Sequence, residues 1–252
     1  MHESLTLALV RARNSQQQLR SPDWAGAVTS AEEAYMVQEQ VAAAMNWFAA
    51  KPARYWKSGG PSRDVTLTHA GLPPAGVRTS PADLRDFPFF ARGVEGEIAL
   101  RLGQDVTPAQ AARLTSANAE SLVDDMAVSI ELVDWRWAEE KQAPALLRLA
   151  DAQSHGALVL GDWLPYEART WAAQTCRASI GSQPVVEATG SHSLGEPAWL
   201  LPAWLRHCTR HGATVPAGTV VTTGTWVGLL MAQAGDLVRV EFPGIGAAEV
   251  QL

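Results

Sequence analysis

The run Gly93-Val94-Glu95-Gly96-Glu97-Ile98-Ala99-Leu100-Arg101-Leu102 constrains this chain more than any other stretch. Its alternation predicts one β-strand, with Val94, Ile98, Leu100 and Leu102 on one face and Glu95 and Glu97 on the other. Carboxylates at i and i+2 project side by side, repel one another and are costly to bury unpaired. A hard divalent cation is the simplest partner for such a pair, because Mg²⁺ prefers oxygen ligands. A third acid has a similar setting: Glu131 stands alone among apolar residues in Ala127-Val128-Ser129-Ile130-Glu131-Leu132-Val133. Alternating glutamates by themselves ordinarily mark a solvated outer face. An isolated Glu inside an apolar strand has fewer innocent explanations, and it tips the balance towards three acids on two strands sharing one ion.

The 252 residues suffice for one large domain, or for a main domain with a small N-terminal appendage. Apolar residues make up 47%, enough for a sizeable core, which argues against disorder. The net charge of −6, with no Lys/Arg cluster, argues against a nucleic-acid partner. Cys176 and Cys208 have neither ligand spacing nor a disulfide framework, so a reducing, cytoplasmic compartment is expected. The first residues lack a basic segment followed by an apolar core, and no apolar run is long enough to span a bilayer; neither a signal peptide nor a membrane partner is expected.

Along the chain, residues 1–55 read as a helical segment docked on the core and residues 56–252 as the metal-binding domain. Ser30-x-x-Glu33 is a capping box opening a helix with an apolar stripe of Ala34, Val37, Val41, Ala44, Met45 and Phe48, ended by Lys51-Pro52. Tyr55 to Pro61 reads as a short strand running into a glycine turn, with Lys57 where the two meet. A lone lysine is ordinarily a solvated charge, but lysine is scarce here and this position singles Lys57 out. Residues 62–92, rich in proline and without periodicity, read as a lid or binding loop. Thr107-Pro108 opens a short helix, and a second helical piece around 117–125 leads into the Glu131 strand. A buried strand follows at 156–161, then a hairpin from 171–180 and 184–189. The longest late helix spans 196–211, with Pro202 either kinking it or marking a later start. Strands at 219–223, 236–242 and 247–252 close the chain. His155, His192, His207 and His211 read as surface or helix-end residues. The order is not regular βαβ, so the expected fold is α+β, a mixed β-roll or barrel with peripheral helices.

Taken in order, these pieces resemble the fumarylacetoacetate hydrolase superfamily, in the branch of 2-oxopent-4-enoate hydratases and 4-oxalocrotonate decarboxylases. The resemblance rests on Glu33-Ala34-Tyr35-x-x-Gln38, Lys57 with Gly59, Glu95-Gly96-Glu97-Ile98-Ala99, Glu131, Asp134-x-Arg136, and Ala150-Asp151 with Ser154-x-Gly156. Leu194-Gly195-x-Pro197, Thr223-Gly224-Thr225, Ala234-Gly235-Asp236 and Gly244-Ile245-Gly246 complete it. It implies Mg²⁺ or Mn²⁺ held by Glu95, Glu97 and Glu131, and a small 2-oxo or 2-hydroxy acid gripped by its carboxylate and C2 oxygen. Lys57 would balance charge or move a proton, and Asp151 and Ser154 would orient water. Thr223, Gly224, Thr225 and Arg136 would hold the substrate. The implied activity is a hydratase adding water to a 2-hydroxy-2,4-dienoate in aromatic meta-cleavage catabolism. The alternatives are a 2-oxo-3-enedioate decarboxylase, a fumarylpyruvate-type C–C hydrolase and a non-catalytic metabolite-binding paralogue. Hydrolases of the superfamily use a His–Glu pair, and between Lys57 and Glu95 this chain offers only His69 and no Glu. A homo-oligomer, associated with a related decarboxylase or hydratase subunit, is also implied. The chain departs from the family at Ala152, where Asn is usual, and in the loop 72–78.

Overall fold

A computed structural model of the chain describes residues 2–49 and 52–252, so Lys51, the expected end of the second helix, lies outside the described residues. The strand anticipated first is formed over Gly93–Leu102 and pairs antiparallel with Val123–Val133. The register sets Glu95 opposite Glu131 and Glu97 opposite Ser129. On its other side lies Val220–Thr222, antiparallel to it, and beyond that Tyr55–Gly59, which runs parallel to Val220–Thr222 with Lys57 beside Thr222. His155–Leu160 flanks Val123–Val133. These strands form the centre of a nine-stranded mixed sheet.

A second sheet has five strands, built from the hairpin Thr175–Ile180 and Val186–Thr189, then Leu237–Phe242, Gly246–Gln251 and Ala82–Asp83. The main core includes Ile98, Leu100, Val128 and Ile130 from the first sheet and Cys176, Val240 and Phe242 from the second. Gly96, between the two glutamates, makes a close approach possible: a Cβ there would lie 2.9 Å from Val240 Cγ1 and 3.2 Å from Cys176 Sγ. The architecture is the expected α+β mixed β-roll with peripheral helices.

Helices His2–Ser15 and Ala31–Ala44 bury Leu5, Leu9, Ala34, Val37 and Val41 in a second cluster with Trp137, Leu147 and Leu149. The Ser30 hydroxyl accepts the Glu33 N–H at 3.2 Å, but the Glu33 carboxylate reaches back to the Thr29 N–H at 2.6 Å rather than to Ser30. The expected capping box is therefore displaced by one residue. Ala42, not Ala44, completes the buried stripe, and Ala44 is exposed. The Tyr35 hydroxyl accepts the His69 N–H at 3.2 Å, and the Gln38 amide donates to the carbonyls of His69 at 3.2 Å and Leu149 at 2.6 Å. The second helix is thereby stitched to the sheet and to the short helix Ala145–Ala150, which sequence periodicity did not reveal.

Two expectations need correction. Residues 62–92 are not one irregular loop: they contribute Thr68–Gly71 and Val77–Thr79 to the first sheet and Ala82–Asp83 to the second. The piece at 117–125 is a single 3₁₀ turn, Ala119–Leu122, before the strand begins. The late helix takes the later of the two starts that Pro202 allowed: it begins at Leu201 after the 3₁₀ turn Pro197–Leu200, so Pro202 falls in a first turn, where its missing N–H has no partner to lose. Among the described residues, no helix is long and apolar enough to cross a membrane.

Candidate metal centre

Four adjacent strands each deliver part of one site: Lys57, then Thr222, then Glu95 with Glu97, then Glu131. One oxygen from each of the three glutamates lies within 4.8 Å of the others. Glu131 and Glu97 are buried, and Glu95 is half-buried. Glu131 Oε1 accepts from Lys57 Nζ at 2.5 Å and lies 3.1 Å from His155 Nδ1. Its Oε2 is buried with no hydrogen-bond partner among the described residues. Glu97 Oε2 accepts from the Thr222 hydroxyl and from the Gly224 N–H, the latter at 2.9 Å. Ser129 Oγ stands 2.9 Å from the Thr222 hydroxyl on its far side.

The electrostatics are those of a cluster with too much negative charge for its own cations. Burial pushes Glu95 up to about 7, with Lys57 opposing and Glu131 assisting. Burial, then the charges of Glu131 and Glu95, push Glu97 up to about 8. Burial would also raise Glu131, but Lys57 and His155 outweigh it and hold that carboxyl below its usual range. Burial works against the Lys57 ammonium, and the three glutamates more than offset it. One lysine therefore secures one carboxylate and leaves two that resist ionising. An all-oxygen donor set with an orphaned buried oxygen fits a hard divalent cation.

The acids line a cavity of about 240 Å³ with Lys57, Thr222 and Gly224. A larger cavity of about 560 Å³ adjoins it, sharing Lys57, Pro61, Glu95 and Gln153. The turn between them is strained: Ala152, Gln153 and Ser154 have φ of 50°, 53° and 61°, a left-handed stretch of three non-glycine residues. It brings the Gln153 carbonyl to 3.3 Å from Lys57 Nζ and sets Ser154 in the wall of the larger cavity.

Residues 81–252 match the model of the fumarylacetoacetate (FAA) hydrolase C-terminal domain. The chain belongs to the fumarylacetoacetate hydrolase family. No curated protein sequence matches it. Among solved structures, it is similar to 4-oxalocrotonate decarboxylase from Pseudomonas putida G7 complexed with magnesium and adipate, with a TM-score of 0.82 and 17% identity over 98% of this chain and 95% of that one. The same enzyme complexed with calcium and acetate gives a TM-score of 0.81 at the same identity and coverage. A 2-hydroxyhepta-2,4-diene-1,7-dioate isomerase from Mycobacterium marinum gives 0.55, with 16% identity over 79% of this chain and 74% of that chain. At such identities the likeness establishes the fold.

Of the residues singled out in this family member's sequence, Lys57, Glu95, Glu97, Glu131, Ser154, Gly224 and Thr225 line the two cavities. Three others point elsewhere. The Asp151 carboxylate is fully enclosed, taking Arg136 Nε at 2.7 Å and Arg13 Nη2 at 2.6 Å. Arg136 is spent on Asp151 and on Asp134, 3.2 Å away, and faces a separate cavity of about 190 Å³. The Thr223 hydroxyl donates to the Ile98 carbonyl at 2.8 Å, so Thr222, its neighbour, is the threonine at the acids. Two histidines expected at the surface are buried: His155 against Glu131, and His192 with Nε2 2.8 Å from the Thr223 carbonyl. His207 is also drawn inward, its ring packed at a tilt against those of Tyr35 and His69, while His211 sits outside beside Glu39. Thr222, His155 and Gln153 were missed. Thr222 could have been found by its alternation with Val221 in a strand, but nothing local marks the other two.

Proposed function

We propose that the protein is a divalent-metal-dependent lyase that adds water to a 2-hydroxy-2,4-dienoate through its 2-oxo-enoate tautomer. What supports this is the convergence of Glu95, Glu97 and Glu131 beside Lys57 at the floor of a cavity. Mg²⁺ or Mn²⁺ held by those acids would supply Lewis acidity towards the carboxylate and C2 oxygen of a 2-oxo acid. The remaining work falls to the chain. Lys57, kept protonated by three carboxylates, places a fixed positive charge beside the position where negative charge grows on the C2 oxygen. Ser154 presents a hydroxyl on the wall of the larger cavity, suited to orienting the incoming water. Asp151 acts at a distance, anchoring the start of the 152–154 turn through Arg13 and Arg136. A role in aromatic meta-cleavage catabolism in the cytoplasm, and assembly as a homo-oligomer, belong to the same proposal.

The decisive assay follows loss of dienol absorbance from 2-hydroxypenta-2,4-dienoate with Mg²⁺ or Mn²⁺, and its suppression by EDTA. Absence of metal-dependent turnover on both a 2-hydroxydienoate and a 2-oxo-3-enedioate would leave a non-catalytic metabolite-binding protein. Decarboxylation of a 2-oxo-3-enedioate is a second candidate, supported by the end-to-end likeness to the Pseudomonas decarboxylase fold and by the enclosure of Asp151, since loss of CO₂ needs no base. Release of CO₂ with the enedioate would identify it. C–C hydrolysis has less support: His69 lines neither cavity, lies buried 2.8 Å from Ser58 Oγ, and burial lowers its pKa to about 3, which makes it a weak base.

A further inference from the structure

The His155 side chain is buried, yet it makes a single hydrogen bond among the described residues: Nδ1 lies 3.1 Å from Glu131 Oε1, and Nε2 has no partner. An imidazole so placed costs desolvation that an apolar side chain of similar size would avoid. The strand is nevertheless bent to put it there. Leu158 pairs with Glu131, so plain alternation would set Gly156, not His155, on the glutamate's face. The register shifts between Leu132 and Val133, which brings His155 opposite Val133 and turns the imidazole onto the Glu131 face. His155 lines neither of the two cavities at the acids; it belongs to the wall of the separate cavity of about 190 Å³. Whatever it does at the metal centre, it does through Glu131.

What it changes is the number of oxygens left for an ion. A carboxylate oxygen offers about two lone-pair sites. Glu131 Oε1 gives one to Lys57 Nζ, at 2.5 Å, and the other to His155, whose Nδ1 therefore carries the hydrogen. Oε2 is left bare. Glu97 repeats the pattern on the neighbouring strand: its Oε2 accepts from both the Thr222 hydroxyl and the Gly224 N–H, which leaves Oε1. Each of these glutamates can then offer an ion one oxygen and not two. Single oxygens suit Mg²⁺, which demands near-octahedral coordination, whereas Ca²⁺ takes about six to eight oxygens and often uses both of a carboxylate.

We infer that His155 is a positioning residue that keeps Glu131 a one-oxygen ligand and thereby sets the preference of the site for a small octahedral cation over Ca²⁺. This rests on the metal-centred reading of the acidic cluster. Removing the imidazole frees one lone pair of Oε1, because Lys57 occupies only the other, and admits the two-oxygen grip that Ca²⁺ favours.

The test titrates MgCl₂ and CaCl₂ calorimetrically into the full chain after EDTA treatment and dialysis, and needs no substrate. The natural protein should bind Mg²⁺ more tightly than Ca²⁺. In His155→Leu, Ca²⁺ affinity should rise and Mg²⁺ affinity fall, so that the ratio drops about tenfold. The metal-free melting temperature should hold, since the unpartnered Nε2 leaves with the ring. His155→Asn, whose amide can donate near the Nδ1 position, should restore most of the preference. A weakening shared equally by both ions in His155→Leu, an unchanged ratio, or no rescue by Asn overturns the inference and leaves the metal centre standing. Ca²⁺ binding to the natural protein as tightly as Mg²⁺ also overturns it, with no variant needed, which covers the case in which the substitutions impair folding. Binding of neither ion to the natural protein brings down the metal-centred function together with it.

Discussion

Thr222 and Thr223 are adjacent, both fully buried, and both bonded through their hydroxyls, yet they hold different things. Thr222 donates to Glu97, a carboxyl that burial already makes reluctant to ionise, while Thr223 donates to the backbone of Ile98. Thr222→Val is expected to weaken Mg²⁺ affinity about tenfold by calorimetry, the size typical of groups that orient a ligand. Thr223→Val is expected to lower stability by about 1 kcal/mol in denaturant unfolding and to leave Mg²⁺ affinity unchanged. The reverse pattern would put Thr223 on the metal ligands after all. Glu131→Gln goes further, because it removes charge from the one carboxylate that Lys57 keeps ionised. Added Mg²⁺ should then give no rise in melting temperature.

Among the elements, the strand Gly93–Leu102 was legible because its apolar face had to be interior, and Glu131 because apolar neighbours on both sides gave it no solvent face. The convergence of these acids depends on the register that sets Glu95 against Glu131, which no local pattern encodes. Residues 62–92 were misread for a different reason: strands of two to four residues separated by prolines carry no measurable period. Asp151 was drawn towards the active site by its neighbours in sequence, whereas its true partner Arg13 lies 138 positions away and leaves no trace in the local sequence. The network Arg13–Asp151–Arg136–Asp134 holds the first helix and the 152–154 turn to one core. Asp151→Asn should leave two buried guanidinium groups short of charge and lower stability by about 3–5 kcal/mol, read as a fall in melting temperature by circular dichroism. A variant with near-normal melting and abolished turnover would instead make Asp151 a participant in the chemistry.

At the scale of the molecule, these buried groups predict how stability follows pH without metal. Four histidines have pKa values lowered chiefly by burial: His69 to about 3, His192 to about 4, His207 to about 2, and His155 below its ordinary value. Each binds a proton more readily in the unfolded chain, so each makes stability rise with pH up to the ordinary value of 6.5. Glu95 and Glu97 act in the opposite sense. They are raised from 4.5 to about 7 and about 8, so the folded chain holds protons that the unfolded chain has released, and stability falls as pH climbs through that window. Below 6.5 the four histidines outweigh the two acids; above it only the acids still titrate. The metal-free protein should therefore be most stable near pH 6.5 and lose stability between there and pH 8. Mg²⁺ binds the ionised acids and displaces their protons, so its stabilisation should grow across the same interval and flatten the decline. Melting curves from pH 5 to 8.5, with EDTA and with saturating Mg²⁺, measure both arms. A metal-free melting temperature that keeps rising to pH 8, or an Mg²⁺ increment independent of pH, would mean that Glu95 and Glu97 are already ionised without a cation, and that the charge imbalance assigned to the cluster is absent.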